Sequence, residues 1–572
     1  MAGLTGAALV GCSDDAPQPA VATAAVAPSP TPVARSFAGP IAPRPRELNP
    51  AASAKRGGTL RMRYLEPQHL DINRALSCAT YHPLSYTQSK LLRARTGANV
   101  DPFRVKIEPD LAESWVSNET ATEFTFYLRE GVRAHSVAPT YGRVFTAEDV
   151  RLSLERYRAG GSQRDVYAPV IEVVTPDTRT VTVRLSRPVV DFPANIASWS
   201  YLTPLELIDD ERAMESQAVG TGPFILEEWD RGNRAVFRRN PRYFEPGLPY
   251  LDEVIVSVED DRAAAQQRFL DGDFFDADVL DDVEMQSLLE RAGGTAEGFT
   301  FPRSRGANVN GWHFQLTNPV FQDERVRRAI SLAFDRNEYD RARNAGDNEH
   351  AEGPFSNSPI PWPFLFDEYP TGAANGQWYQ HDPARASALM QAAGYSAARP
   401  LEFELLSYYL TESFPLQVVP SINEHLPEVR INYRELEQQQ YVDHLSNRDF
   451  PSAIGIVWGP PGYGMDQWIY PWWHSRGALN YNGVGDALLD SLLDSQRAET
   501  DPEVRKELWQ SIWDHVHDQV WDVWWPEAHT RGVQREFVSN MRWHGLVGSY
   551  TCYGSDQARA IWLEDGAPGL TR

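Results

Sequence analysis

Residues 220–254 read GTGPFILEEWDRGNRAVFRRNPRYFEPGLPYLDEV. The opening Gly220-Thr221-Gly222-Pro223 is a tight turn, glycines placed beside a proline of fixed φ. It is not a phosphate loop, because the GxxxxGK[ST] spacing and its lysine are both missing. At the far end Leu251-Asp252-Glu253-Val254 leads into a strand over 254–258. Upstream, Phe124, Phe126 and Leu128 alternate within 122–129, and Val181, Val183 and Leu185 alternate within 180–185. Both stretches predict half-buried strands. Between them Thr146 caps a helix, with Asp149 at the third helical position and Val150, Leu154 and Tyr157 on one face. Downstream, Asp323 caps a helix carrying Val326, Ile330 and Ala333 on one face. Asp382-Pro383 opens another helix, which ends at Gly394. Asp501-Pro502 repeats that start, and Val504, Leu508, Ile512 and Val516 follow at four-residue spacing. Strands and helices mix without a strict βαβ rhythm or a fixed repeat, which predicts an α/β fold with mixed β-sheets.

Composition narrows the function. The chain has 572 residues and a formal charge of −24, from 54 basic and 78 acidic side chains. That balance excludes a surface that tracks nucleic acid, which needs clustered Lys and Arg. No stretch approaches the roughly 18 apolar residues needed to cross a bilayer. Residues 1–12 read MAGLTGAALVGC, and Leu9-Val10-Gly11 directly before Cys12 is similar to a lipobox, whose cysteine is lipidated. Residues 1–12 are therefore read as a lipoprotein signal remnant without a positive n-region. Residues 13–56, rich in Ala and Pro, predict a disordered tether. Cys78 and Cys552 remain. They pair in an oxidising compartment or stay as two free thiols, and spacing alone does not decide. With no CxxC pair, a cysteine zinc site has no support.

Ordered blocks along the chain then resemble a known family. They include Gly57-Gly58-Thr59-Leu60, the 109–115 stretch PDLAESW, the 124–132 stretch FTFYLREGV and Thr146-Ala147-Glu148-Asp149-Val150. Gly220-Thr221-Gly222-Pro223-Phe224, the 239–244 stretch RNPRYF, the 249–254 stretch PYLDEV, the 323–330 stretch DERVRRAI and Asp382-Pro383 through Gly394-Tyr395 follow in family order. The chain resembles the family-5 extracellular solute-binding proteins of ABC importers, the oligopeptide- and dipeptide-binding group. The resemblance implies a type II periplasmic-binding-protein fold of three lobes, with the ligand cleft between two of them, the first and the third. Lobe I would comprise 57–88, 214–305 and 531–572; lobe II, 89–213; lobe III, 306–530. Hinge closure would bury the ligand and mark the loaded protein for the permease. A monomer without cofactor is implied, periplasmic or at the cell surface, held to the membrane through lipidated Cys12.

In the peptide-binding members a tryptophan followed shortly by an aspartate holds the peptide's amino group. The matching stretch here has Trp458, then Gly459, Pro460 and Pro461 where the acid would stand, and Asp466 further on. Aromatic surface is offered instead by Trp458, Trp468, Tyr470, Trp472 and Trp473, rings that stack on sugars or flat solutes or else fill a core. Trp312 and His313 follow Gly311 in the strand where family members approach the ligand. Candidate ligand-binding residues are therefore Trp312, His313, Trp458, Asp466, Trp468, Tyr470, Trp472 and Trp473. Arg325, Arg327 and Arg328 read as solvated or salt-bridged. An enzyme is not expected: there is no GxSxG or HExxH, and His515 and His517 sit two apart on a helix, facing apart. A peptide or related organic solute, an oligosaccharide or aromatic solute, and a chaperone or signalling receptor uncoupled from import all stay open.

Overall fold

The computed structural model describes residues 54–64, 66–74, 77–96, 106–279, 282–304, 309–339, 377–408, 415–458, 463–525, 530–541, 553–568 and 570. Residues 1–12 and nearly all of 13–56 lie outside them, as does Cys552. The strand Thr59–Tyr64 turns Leu60, Met62 and Tyr64 inward and pairs in parallel with Glu253–Val258. That sheet continues antiparallel through Arg234–Arg239 to Phe224–Asp230. A second sheet runs Ala112–Ser117, Glu123–Leu128, Thr180–Leu185 and Val170–Val174, antiparallel throughout. The third has five strands, ordered Val429–Leu436, Leu401–Tyr408, Ala453–Trp458, Val309–Phe314 and Asp522–Trp525. Its first three are parallel and its last two antiparallel to their neighbours. A smaller sheet joins Asp276–Val279, Thr530–Arg535 and Phe299–Thr300, with Arg303–Ser304 beside it. The chain thus passes from the small sheet into the five-stranded sheet after Ser304 and returns after Trp525. This is the type II periplasmic-binding-protein fold, with mixed sheets.

Separate apolar cores accompany the sheets. One lies wholly within 312–524 and one within 70–218 apart from Tyr463. A third joins 60–64, 224–256 and 538–567. Local signals behave as their chemistry requires. Thr146 N donates to Asp149 Oδ2 at 2.8 Å, Asp323 caps Glu324–Ala333, and Asp382 caps Pro383–Ala392. Gly394 takes a φ of +94°, the left-handed stop expected of it.

Three expectations are revised, and one left open is decided. Gly220 and Gly222 are required by close approach rather than by an unusual φ: a Cβ on either would sit 2.5 Å from the backbone of Thr87. Arg327 is not solvated. It is 3% exposed and donates to the carbonyls of Phe321, Gln322, Gln519 and Val520, and burial pushes its pKa down to about 10. It caps the carboxyl end of the helix Pro502–Gln519, where a cation complements the exposed carbonyls. On that helix Val504 is 44% exposed, and the buried face is Arg505, Trp509, Ile512, Trp513 and Val516. The inward position of the first turn is taken by an arginine because its guanidinium binds another part of the chain. Finally, Cys78 is disulfide-bonded, not a free thiol, and its partner lies outside the described residues.

One buried polar network ties remote segments together. Lys90, just after the helix Cys78–Thr87, places Nζ 2.9 Å from Asp556 Oδ2, 3.0 Å from Tyr81 Oη and 3.1 Å from the Ser198 carbonyl. Tyr81 Oη and Tyr201 Oη also donate to Asp556, at 2.8 and 3.2 Å. The side chains of Lys90 and Asp556 are 2% and 7% exposed. A buried charge stripped of its partner is costly, so Lys90→Met is expected to lower the unfolding free energy by about 3–5 kcal/mol. Adding Asp556→Leu should recover part of that loss. Urea denaturation measures both, and a Lys90→Met protein as stable as the parent would contradict this role.

Candidate functional site

The helix Phe192–Trp199 buries Phe192, Ile196 and Ala197 in the 70–218 core. Opposite it runs Met465–Trp473, which buries Ile469, Trp472 and Trp473 in the 312–524 core. Gln467, Tyr470 and Pro471, three and four residues apart, share the other face of that helix. Between these helices lies a cavity of about 740 Å³. Asn195, Trp199 and the 162–168 segment line one side, Gln467, Tyr470 and the 476–479 segment the other. Its volume suits a small organic solute, and its lining is mixed: an indole, a phenol, amides and guanidinium groups. Asn195 Oδ1 and Gln467 Oε1 are both buried there without a hydrogen-bond donor.

The two sides also touch directly. Arg505 Nη1 and Nη2 each lie 2.7 Å from the Asp191 carboxylate, a bidentate pair with side chains 8% and 13% exposed. Val190 N donates to the Arg497 carbonyl at 3.0 Å, and Tyr463 N to Ser198 Oγ at 2.8 Å. Tyr463 itself is buried in the 70–218 core. A side chain at Gly464 would collide with Asn195, so glycine is what lets the backbone come this close.

The residues proposed from sequence separate into groups. Tyr470 lines the cavity, stacked on His474 at 4.2 Å and on the Arg497 guanidinium at 3.6 Å. Trp312, His313, Trp472 and Trp473 do not line it; they are core. His313 Nδ1 lies 2.5 Å from Asp522, which also accepts from Trp473 Nε1 at 3.1 Å and Asn482 Nδ2 at 3.2 Å. Trp312 is fully buried, and Trp472 packs on His313 and Tyr481. The strand Ala453–Trp458 ends at Trp458, and Asp466 and Trp468 are on the helix Met465–Trp473. The side chains of Trp458, Asp466 and Trp468 lie outside the described residues. Asn195, Trp199, Arg164, Arg187 and Arg497 were not anticipated. They come from separate stretches, and no local motif marks them.

The histidines are occupied structurally. His82, His135 and His517 are buried, and loss of hydration pushes their pKa values down to about 3, 4 and 3. Among the described residues no group of three or more His, Cys, Asp or Glu is placed to hold a metal, and no helix is long and apolar enough to cross a membrane. The contact between the two sides is open to test. Asp191→Asn, which leaves Arg505 half-paired, is expected to raise amide exchange at Val190 and Tyr463 at least tenfold over the parent. Unchanged exchange at both would show that the ion pair does not hold the sides together.

Comparison with known proteins accords with this architecture. Bacterial extracellular solute-binding proteins, family 5, match residues 106–480. The probable D,D-dipeptide-binding periplasmic protein DdpA of Escherichia coli K12 is 28% identical over 298 residues, 50% of this chain and 53% of that protein. Heme-binding protein A of Haemophilus influenzae is 25% identical over 50% of this chain and 54% of its own. The chain thus spans about half the length of these curated relatives. Among solved structures, the binding protein AgaA of A. tumefaciens R10 in complex with agropinic acid superposes with a TM-score of 0.71 at 22% identity, over 89% of this chain and 99% of that one. DppA of Helicobacter pylori in complex with the peptide STSA gives 0.72 at 18% identity, over 90% and 99%. The chain belongs to the family 5 bacterial extracellular solute-binding proteins, which are binding proteins and not enzymes.

Proposed function

We propose that this protein is the extracytoplasmic receptor of an ABC importer, taking up a peptide or related small organic solute between lobes and handing it to a permease. The observation that carries the reading is the cavity of about 740 Å³ enclosed by two separately cored parts of one chain. A concave lining that mixes aromatic faces with polar and charged groups binds a small solute, and two cores that move as units release it. The lobes would be 57–88 with 214–305 and 531–572, then 89–213, then 306–530. With these bounds the cavity lies between the second and third lobes, not between the first and third as the sequence led us to expect. Names of relatives support a peptide-like solute: DdpA is described as binding D,D-dipeptides, and two Pseudomonas aeruginosa relatives as binding di- and tripeptides. A lipid on Cys12, preceded by Leu9-Val10-Gly11, would hold a monomer at the membrane surface.

A planar or ring-bearing solute is the second reading, because Trp199 and Tyr470 both line the cavity and aromatic faces stack on such rings. Mass spectrometry of small molecules released by denaturing the purified protein separates the two, together with thermal shifts against peptide and oligosaccharide pools. Released peptides and a rise in melting temperature with peptides alone are expected. A sugar or non-peptide ring compound, with peptides inert, would replace the peptide reading. No released molecule and no shift with either pool would contradict solute binding.

A further inference from the structure

The cavity differs in charge from the protein around it. The chain carries a formal charge of −24, yet Arg164, Arg187, Arg448, Arg476 and Arg497 line this space against one carboxylate, Asp165. Arg476 Nη2 lies 3.2 Å from Asp494. Arg448 Nη2 reaches only the carbonyls of Gly477 and Ala478, at 3.5 and 3.3 Å. Arg187 is positioned 5.8 Å from the Tyr470 ring centroid. Neither Arg164 nor Arg187 has a carboxylate partner among the described residues. A guanidinium keeps its charge at every physiological pH, and its fork of donors matches carboxylate and phosphate oxygens.

The placement adds a second argument. Arg164 and Arg187 belong to the side built on the 70–218 core, and Arg448, Arg476 and Arg497 to the side built on the 312–524 core. Like charges on facing walls repel, so these sides approach most favourably around a counter-charge. A neutral solute would leave that repulsion in place. A solute with two anionic groups would neutralise both walls and hold them together.

Resting on the solute-binding reading above, we propose that the preferred solute carries at least two anionic oxyacid groups, and that Arg164 and Arg187 select it. Four synthetic probes test this on the purified full chain after removal of retained solute: Ala-Glu-Glu, Ala-phosphoserine-Ala, Ala-Gln-Gln and Ala-Lys-Lys. Titration calorimetry is expected to show at least one acidic probe bound tenfold or more tightly than Ala-Gln-Gln, with the advantage shrinking as salt is raised. The double variant Arg164→Gln/Arg187→Gln should lose that advantage while keeping the parent's melting temperature. Whichever acidic probe binds better identifies carboxylate or phosphate as the recognised group. Equal or tighter binding of the neutral or basic probe, or an acidic advantage that survives the double variant, overturns the charge assignment and leaves solute binding standing. Binding of none of the four overturns the charge assignment and the peptide reading together.

Discussion

Lys90 carries an ammonium group into the interior, where Asp556, the Tyr81 hydroxyl, the Ser198 carbonyl and the Tyr201 ring face compensate its lost hydration. Such a charge is tolerable only while every partner is in place. The partners come from the helix Cys78–Thr87, from the end of Phe192–Trp199 and the residues just after it, and from the turn Tyr553–Ala560. Satisfying one charge therefore fixes the mutual position of segments far apart in sequence. Arg93 extends the pattern, with Nη1 2.8 Å from Asp110 and Nη2 2.5 Å from Glu245. Ser198 links this network to the cavity: its carbonyl accepts from Lys90, and its hydroxyl accepts from Tyr463 N across the contact between the two sides.

That contact shows how a binding protein divides its polar and apolar chemistry. Each side of the cavity rests on its own core, so each keeps its shape independently. What joins them is mostly directional and local: a bidentate ion pair, two hydrogen bonds donated by backbone amides and one close approach at Gly464, with the Tyr463 side chain buried in the 70–218 core. Directional contacts specify one arrangement of the two sides, whereas a continuous apolar core would weld them. The tryptophans follow the same division. Trp312, Trp472 and Trp473 stabilise one side from within, and Trp199, buried in the other core, also reaches the cavity wall.

Much of the scaffold was legible from sequence, because caps, alternation and turn chemistry act over a few residues. The strands at 123–128 and 180–185, the helix after Thr146 and the proline-opened helices at 383 and 502 all carried local signals. Errors arose where a distant partner decides. Val504 and Arg505 compete for one inward position, and periodicity favours the valine; the arginine takes it because Asp191 waits there. The same holds for Arg327, drawn inward by carbonyls at the end of another helix. Aromatic crowding at 468–473 drew attention to Tyr470, which lines the cavity, but it did not show which rings face the core. The cavity's arginines, at 164, 187, 448, 476 and 497, are separated by long intervals, and only the fold gathers them.

The central claim is that a solute is held between these two sides, and a crystal structure of the protein with the molecule it retains on purification tests this most directly. The account predicts solute density in contact with Asn195 or Trp199 on one side and with Gln467 or Tyr470 on the other. Density lying elsewhere, touching neither side, would contradict it.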